Sequence, residues 1–106
     1  MSVGVAATLP VRVYYEDTDA GGVVYHAAYL RFAERGRTEY VRALGIDQQR
    51  LRAETGLGFA VAGLTIDYLK PALLDDALLV RTEVTVARRA SAEFLQTVER
   101  DGVVLA

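Results

Sequence analysis

The stretch that decides the fold is residues 11–40, VRVYYEDTDAGGVVYHAAYLRFAERGRTEY. Its beginning, residues 11–16, alternates in side-chain character and is rich in β-branched and aromatic residues, which predicts a first strand. Apolar residues then recur at three- and four-residue spacing across residues 27–44, and this spacing predicts an amphipathic helix that Gly45 ends. The residues between these two elements, DTDAGG at 17–22, are typical of a loop.

The remainder of the chain predicts a short helix and a set of strands. Asp47 is a suitable N-cap for a second helix over residues 47–54. Strand-like runs follow, the last of them after the hairpin-turn signal Asp101-Gly102, at residues 59–69, 78–87, 92–99 and 103–106. A strand, a long helix and then further strands predict an α+β domain in which a helix lies on one antiparallel sheet.

Composition places the chain among small globular domains. It has 106 residues, 52% hydrophobic and 25% charged, with a formal charge of −2, so we expect neither disorder nor a nucleic-acid-binding surface. A chain of this size buries only about 60 to 70% of its unfolded surface, which favours self-association. No run approaches the roughly 18 apolar residues of a membrane span, and the start of the chain lacks the features of a signal peptide. We therefore expect no transmembrane segment.

Residue types that are rare in this chain narrow its chemistry. Cysteine is absent, which fits the reducing cytoplasm and leaves no thiolate ligand or cysteine nucleophile. His26 is the only histidine, and the carboxylates do not show the spacing of a metal site. We therefore expect a cytoplasmic protein with no bound metal and no cofactor.

The tract at residues 14–26, YYEDTDAGGVVYH, resembles the signature loop of YbgC-type proteins, a branch of the hotdog-fold thioesterases that also include the 4-hydroxybenzoyl-CoA thioesterases. The resemblance implies a hotdog fold, in which an antiparallel sheet wraps around one long central helix. It also implies cleavage of acyl-CoA thioesters at a site between two subunits of a homodimer or homotetramer. Family members continue the last strand and add a C-terminal tail, so residues 1–106 are expected to be a single hotdog domain that lacks these parts.

Asp19 is the candidate catalytic carboxylate, because it occupies the position of the catalytic acid in the family that the chain resembles. Chemistry supports the same residue, since thioester hydrolysis needs one base or nucleophile and a pair of donors for the developing oxyanion. Asp19 follows a strand and precedes two glycines, where scaffolds hold reactive groups on short loops. The alternative is that Asp17 and Asp19 are solvated turn residues or caps. Whether a catalytic Asp19 is a nucleophile or a general base stays open.

The start of the long helix is the candidate carbonyl-binding element. No Ser, Thr, Asn or Asp stands at the expected N-cap, so the first backbone N–H groups lack a visible partner and carry the partial positive charge of a helix N-terminus. We assign the N–H of His26, or of an immediate neighbour, to the thioester carbonyl, as at the corresponding position in the family. For the imidazole of His26, which we count among the candidate catalytic groups, two interpretations stay open: a helix-start side chain, or a group that orients water or Asp19.

Tyr15, Val24 and Tyr25 are the candidate substrate-binding residues. Tyr15 is chosen because it aligns with a tyrosine near the carboxylate in YbgC-like enzymes. Aromatic rings around the loop suit an acyl pocket, and ordinary core packing is the alternative for most of them. Glu34 on the helix is a rival catalytic acid, since some other hotdog enzymes carry the carboxylate there; a solvated or salt-bridged glutamate is the alternative.

Two other functions stay open at this level. A hotdog dehydratase or hydratase pairs a histidine with an acid in a different local arrangement, and a non-catalytic protein would bind acyl thioesters or act as an envelope-associated scaffold. The acyl chain length, an aromatic or aliphatic preference, and CoA or acyl carrier protein as the donor are likewise open. The DTDAGG loop favours hydrolysis of an acyl-CoA.

Overall fold

The computed structural model describes residues 6–106 and contains one antiparallel sheet, one long helix and one short helix. The elements are β1 Ala7–Arg12, a 3-10 turn Tyr15–Asp17, α1 His26–Ala43, α2 Gln48–Thr55, β2 Ala77–Ala87, β3 Ala92–Arg100 and β4 Val103–Val104. The four strands follow one another across the sheet in the order β1-β2-β3-β4, each antiparallel to the next. The predicted α+β architecture is confirmed.

The first strand begins and ends earlier than predicted, because its pairing with β2 ends at Arg12. Val13 stays attached beyond that point, since its N–H donates to Asp76 O at 2.9 Å, but the chain then enters the 3-10 turn Tyr15–Asp17. The prediction of a strand over residues 11–16 is therefore wrong for its later part. The alternation agrees with burial at Val11 and Val13, which are buried, and fails at Tyr15, which is 82% exposed.

Helix α1 packs one face on the sheet, as its spacing of apolar residues predicts. Its buried residues are Ala28, Tyr29, Phe32, Gly36, Tyr40 and Val41. The helix passes very close to β2 at Gly36, where a Cβ would lie 2.8 Å from both Thr82 Oγ1 and Val80 Cγ1. Gln96 of β3 joins the same contact, because its Nε2 donates to Ala33 O and to Thr82 Oγ1, each at 2.8 Å. A glycine and a polar network therefore set how closely the helix lies on the sheet.

The ends of the two helices follow the capping rules. α1 ends before Gly45, whose φ of 87° lies in the left-handed region that glycine adopts without strain. α2 begins after the predicted N-cap, since the Asp47 side chain accepts a hydrogen bond from Arg50 N–H at 3.1 Å. The predicted second helix is confirmed.

The main core lies between α1 and the sheet and includes the loop before β2. Its buried members are Val11, Val13, Val24, Ala28, Tyr29, Phe32, Ala72, Leu78, Val80, Val98 and Leu105.

β3 and β4 are joined by Asp101 and Gly102, whose φ angles of 52° and 80° are typical of a type I′ hairpin turn. The predicted hairpin is therefore confirmed.

Residues 59–69, predicted as a strand, form no strand in the described part of the chain. The end of this segment is tied to the sheet, because the N–H groups of Leu69 and Lys70 donate to Leu105 O at 2.8 and 3.1 Å. A strand needs a neighbouring strand to hydrogen-bond its backbone along its length. β4 has only 2 residues and is too short to pair with residues 59–69. Large apolar side chains of residues 57–69 are exposed: Leu57, Phe59, Val61, Leu64, Tyr68 and Leu69.

Candidate active site

The loop between β1 and α1 is anchored by Asp17. This side chain is only 5% exposed; its Oδ2 accepts from Tyr14 N–H at 2.9 Å, and its Oδ1 faces Arg31 Nη2 of α1 at 3.4 Å. The carbonyl oxygen of Asp17 accepts from the N–H of Tyr25, directly before α1, at 2.8 Å. Asp17 therefore joins both ends of the loop to the helix and is not a solvated turn residue.

Asp19 lies on the exposed part of the same loop, and the backbone fixes its position. Its N–H donates to Val23 O at 2.9 Å, and its carbonyl oxygen accepts from Gly22 N–H at 3.1 Å. Its Oδ1 accepts from Gly21 N–H at 2.8 Å. Gly22 has a φ of 80°, a conformation that favours glycine at this turn. The other carboxylate oxygen, Oδ2, bonds to no residue in 6–106, so it is available to a water or a substrate.

A bridge between Thr18 and Val24 brings the two arms of this loop together. Asp19 follows one arm directly, and His26 follows the other arm after Tyr25, at the first residue of α1. The two predicted catalytic residues therefore belong to one short closed turn at the N-terminal end of the helix.

The N-terminus of α1 carries backbone donors without partners, as predicted. Tyr25 occupies the N-cap position and makes no side-chain cap. Ala28 N–H donates back to Tyr25 O at 2.8 Å, whereas the N–H groups of His26 and Ala27 meet no acceptor among residues 6–106. A helix start of this kind accommodates an anion or a polarised carbonyl oxygen.

The exposed imidazole of His26 lies between two tyrosine rings. The Tyr25 ring centroid is 4.3 Å away at a tilt of 42°, and the Tyr68 ring centroid is 6.2 Å away in an edge-on arrangement. The Tyr68 hydroxyl donates to the carbonyl oxygen of His26 at 2.9 Å. The imidazole itself makes no hydrogen bond to Asp19 or to any other residue that the structure describes.

The predicted substrate-binding residues lie in different surroundings. Tyr15 begins the 3-10 turn with 82% of its surface exposed, and its hydroxyl bonds to no residue in the described range. Tyr25 is 46% exposed and contacts the ring of His26. Val24 is 5% exposed and packs in the core below the loop. The structure thus brings Tyr25 to His26, leaves Tyr15 in solvent and gives Val24 a packing contact.

Glu34, the rival acid, lies on the exposed face of α1 and helps to line a shallow cleft of about 320 Å³. A second cleft of about 340 Å³ runs beside β1, and Arg35 lines both clefts. Neither cleft is lined by Asp19 or His26. Asp19 and His26 are both exposed on the single chain.

The loop that precedes β2 supports the site from the core side. Val24 N–H donates to Ala72 O at 2.9 Å, which pins the two loops together. Asp76 closes the supporting loop, since it accepts from Leu73 N–H at 2.8 Å and from Arg100 Nη1 at 2.5 Å. Partial burial acts to raise the pKa of Asp76, but these two donors outweigh it and hold the pKa below its ordinary value.

Comparison with known proteins assigns the family. Residues 21–106 match the family model described as the thioesterase superfamily. Acyl-CoA thioesterase YbgC of Haemophilus influenzae is 55% identical over 98 residues, which make up 92% of this chain and 72% of that protein. The chain belongs to the thioesterase superfamily.

Further relatives place it in the YbgC branch. Acyl-CoA thioester hydrolase YbgC of Escherichia coli is 54% identical over 89 residues, 84% of this chain and 66% of that protein. The crystal structure of a probable thioesterase from Bartonella henselae superposes with a TM-score of 0.91 at 34% identity, covering 95% of this chain and 84% of that one. The predictions of the hotdog fold, the YbgC-type family and a thioester hydrolase are confirmed.

Two structural properties bear on binding. Within residues 6–106 no three His, Asp or Glu side chains are grouped so that they could hold a metal ion. The same range contains no helix with the length and apolar character that crossing a bilayer requires.

Sequence reasoning assigned no role to Tyr68. It lies in the segment predicted as a strand, where an aromatic residue is normally interpreted as a packing residue. Its contact with His26 spans 42 positions of the sequence, so local patterns around either residue do not reveal it.

Proposed function

We propose that the chain hydrolyses an acyl-CoA thioester to a free acid and CoA, with Asp19 as the base or nucleophile and the start of α1 as the carbonyl-binding element. One observation carries the proposal: Asp19, with its unbonded Oδ2, and the uncapped N-terminus of α1 share a loop closed by the Thr18–Val24 bridge. The names of the YbgC relatives support the same substrate class. A chain without cysteine is compatible with action in the reducing cytoplasm.

The free N–H groups of His26 and Ala27 supply the oxyanion donors in this proposal. The thioester carbonyl oxygen gains negative charge as the tetrahedral species forms. Donors held by a helix point at that charge without reorganising, and the helix dipole adds to their effect. Losing one donor of this kind typically lowers kcat by about 10²- to 10³-fold.

Asp19 acts at the carbonyl carbon by one of two routes. As a general base, its carboxylate takes a proton from water while the water oxygen bonds to the carbon, and the C–S bond then breaks with CoA leaving as a thiolate that is protonated. As a nucleophile, a carboxylate oxygen bonds to the carbon and expels CoA, and water then hydrolyses the mixed anhydride. In both routes Tyr15 and Tyr25 are assigned to the wall that holds the acyl thioester, and the buried Val24 supports that wall from the core.

We also propose that a second copy of the chain completes the site, in a homodimer or homotetramer. Asp19 and His26 are exposed, whereas hydrolysis sites exclude bulk water around the reacting groups. The exposed apolar side chains of residues 57–69 are a surface that a second copy would cover. Sedimentation at micromolar concentration should show an oligomer; a monomer with full activity contradicts this part.

The test of the function is a panel of acetyl-, butyryl-, octanoyl-, palmitoyl- and benzoyl-CoA, together with crotonyl-CoA as a hydratase substrate and 3-hydroxybutyryl-CoA as a dehydratase substrate. Free thiol and product mass are followed together. Hydrolysis releases thiol and a free acid. A hydratase or dehydratase changes the acyl mass by one water without releasing thiol, and a binding protein changes neither. The Asp19→Asn variant, purified in parallel, excludes a contaminating thioesterase. Absence of thiol release from every member of the panel contradicts the proposal.

A further inference from the structure

Tyr68 connects the segment before β2 to the first residue of α1. Its hydroxyl donates to the carbonyl oxygen of His26 at 2.9 Å. That carbonyl belongs to the same peptide group as the N–H of Ala27, one of the two free donors at the helix start. The bond therefore acts on the peptide group that faces the proposed oxyanion position.

The ring of Tyr68 is held by aromatic contacts, which fixes where its hydroxyl points. It packs edge-on against Tyr29, with centroids 5.4 Å apart, and edge-on against His26. Tyr29 is a firm support, because it is buried and its hydroxyl accepts from Ala72 N–H at 3.0 Å. Tyr68 itself is 46% exposed, so the loss of its hydroxyl does not open the core.

A hydrogen bond accepted by a peptide carbonyl polarises the whole peptide group, and its N–H becomes a stronger donor. We propose that Tyr68 is a positioning residue for thioester hydrolysis, which orients and polarises the His26–Ala27 peptide so that Ala27 N–H binds the developing oxyanion. This inference rests on the proposed function. It adds a residue from a distant segment to the site. It also assigns binding of the oxyanion to the backbone N–H of Ala27 and not to the imidazole of His26.

The first experiment compares Tyr68→Phe with Tyr40→Phe under single-turnover and steady-state conditions, using the fastest acyl-CoA of the panel. Tyr40→Phe removes the same kind of hydroxyl group from a distant position. Tyr40 lies 14 residues after His26 on α1, which is about 21 Å at 1.5 Å per residue. We expect kcat to fall about 10-fold in Tyr68→Phe with little change in KM, since a donor is weakened and not removed. Tyr40→Phe should retain wild-type kcat. A wild-type kcat in folded Tyr68→Phe overturns the inference while the proposed function stands.

The second experiment separates polarisation from a purely structural contact. With the thioester carbonyl labelled with ¹³C, infrared spectra are recorded for the substrate bound to Asp19→Asn and to Asp19→Asn/Tyr68→Phe. We expect the carbonyl stretch to move to higher frequency when the Tyr68 hydroxyl is lost, because the oxyanion donor is weaker. Equal frequencies overturn the inference. A third measurement replaces Tyr68 with fluorotyrosine and is made at a pH at which the phenol is protonated. The fluorinated phenol is a stronger hydrogen-bond donor, so kcat should equal or exceed the wild-type value. A fall of kcat to the Tyr68→Phe value also contradicts the inference. If no panel member is hydrolysed by the wild type, the proposed function fails and this inference falls with it.

Discussion

Thr82 of β2 occupies the space that a side chain on Gly36 of α1 would need, since a Cβ at position 36 would lie 2.8 Å from Thr82 Oγ1. We expect Gly36→Ala to lower the free energy of unfolding by up to about 2 kcal/mol, because overpacking costs about 1 to 3 kcal/mol and the gain in helix propensity offsets about 1 kcal/mol of that cost. Thr82 and Val80 are almost fully buried, with exposures of 1% and 0%. Urea unfolding monitored by circular dichroism measures the change.

Gly58→Ala is the matched control for that experiment, because a Cβ at position 58 meets nothing within 4 Å. Its free energy of unfolding should stay within about 0.5 kcal/mol of the wild-type value. A Gly36→Ala variant as stable as Gly58→Ala would show that the helix is free to move away from the sheet.

Two buried tyrosines allow a comparison of a bonded and an unbonded hydroxyl group. Tyr29 and Tyr40 are each 3% exposed, but Tyr29 accepts from Ala72 N–H whereas the Tyr40 hydroxyl has no partner among residues 6–106. We expect Tyr40→Phe to be neutral or to stabilise the fold by about 1 kcal/mol, and Tyr29→Phe to destabilise it by about 1 to 3 kcal/mol by leaving an N–H unpaired. Thermal and urea unfolding of the two variants decide this, and equal losses contradict it.

Local patterns predicted most of the fold. The spacing of residues 27–44, the N-cap at Asp47 and the turn at Asp101-Gly102 all depend on nearby residues, and each was confirmed. The segment 59–69 was not predicted correctly, because a strand is completed by a pairing partner that its own sequence does not specify. The end of β1 was misplaced for a related reason, since the 3-10 turn after it is anchored by contacts of Asp17 with α1.

The sequence predicts some features of the candidate site and not others. The missing cap at Tyr25 is a local property, and it correctly predicted free donors at His26. Asp17 is buried and forms a salt bridge to Arg31 on the helix, whereas Asp19 is exposed. A pattern of two aspartates in a loop carries no information about such a contact. Tyr68 was missed because its partner lies 42 positions away.

Acid should weaken the fold through Asp76 and Glu99. Hydrogen bonds from Thr97 and Arg81 lower the pKa of Glu99, and the donors around Asp76 lower its pKa as well. A carboxyl group with a lowered native pKa adds stability above its unfolded pKa of about 4, and this stability is lost as pH falls through the native value. We therefore expect the free energy of unfolding to decrease as the pH is lowered from about 5 towards 3.

The double variant Asp76→Asn/Glu99→Gln tests the origin of that acid sensitivity. It should be less stable than the wild type at neutral pH, and its free energy of unfolding should change less with pH over the acidic range. Urea titrations at a series of pH values give both quantities. A double variant with the wild-type pH dependence would assign the effect to other carboxyl groups.

The division of labour between Asp19 and His26 is the most direct test of the chemistry. Asp19→Asn keeps the size of the side chain and the bond from Gly21 N–H but removes the charge, so we expect kcat to fall about 10²- to 10⁴-fold while the substrate still binds. His26→Ala keeps the backbone N–H at the helix start, so kcat should fall much less than in Asp19→Asn. Single-turnover hydrolysis of one acyl-CoA, after circular dichroism confirms folding, measures both.

The choice of control decides what that comparison means. Asp17 is unsuitable, because its buried carboxylate anchors the loop and its loss would displace Asp19 and the helix start together. Glu16 is exposed in the same 3-10 turn, and its carboxylate bonds to no residue in the described chain, so Glu16→Gln removes a nearby charge without disturbing the loop. We expect Glu16→Gln to retain wild-type kcat. If Asp19→Asn also retains it, or if both variants lose activity equally, Asp19 is not the catalytic carboxylate and Glu34 becomes the residue to test.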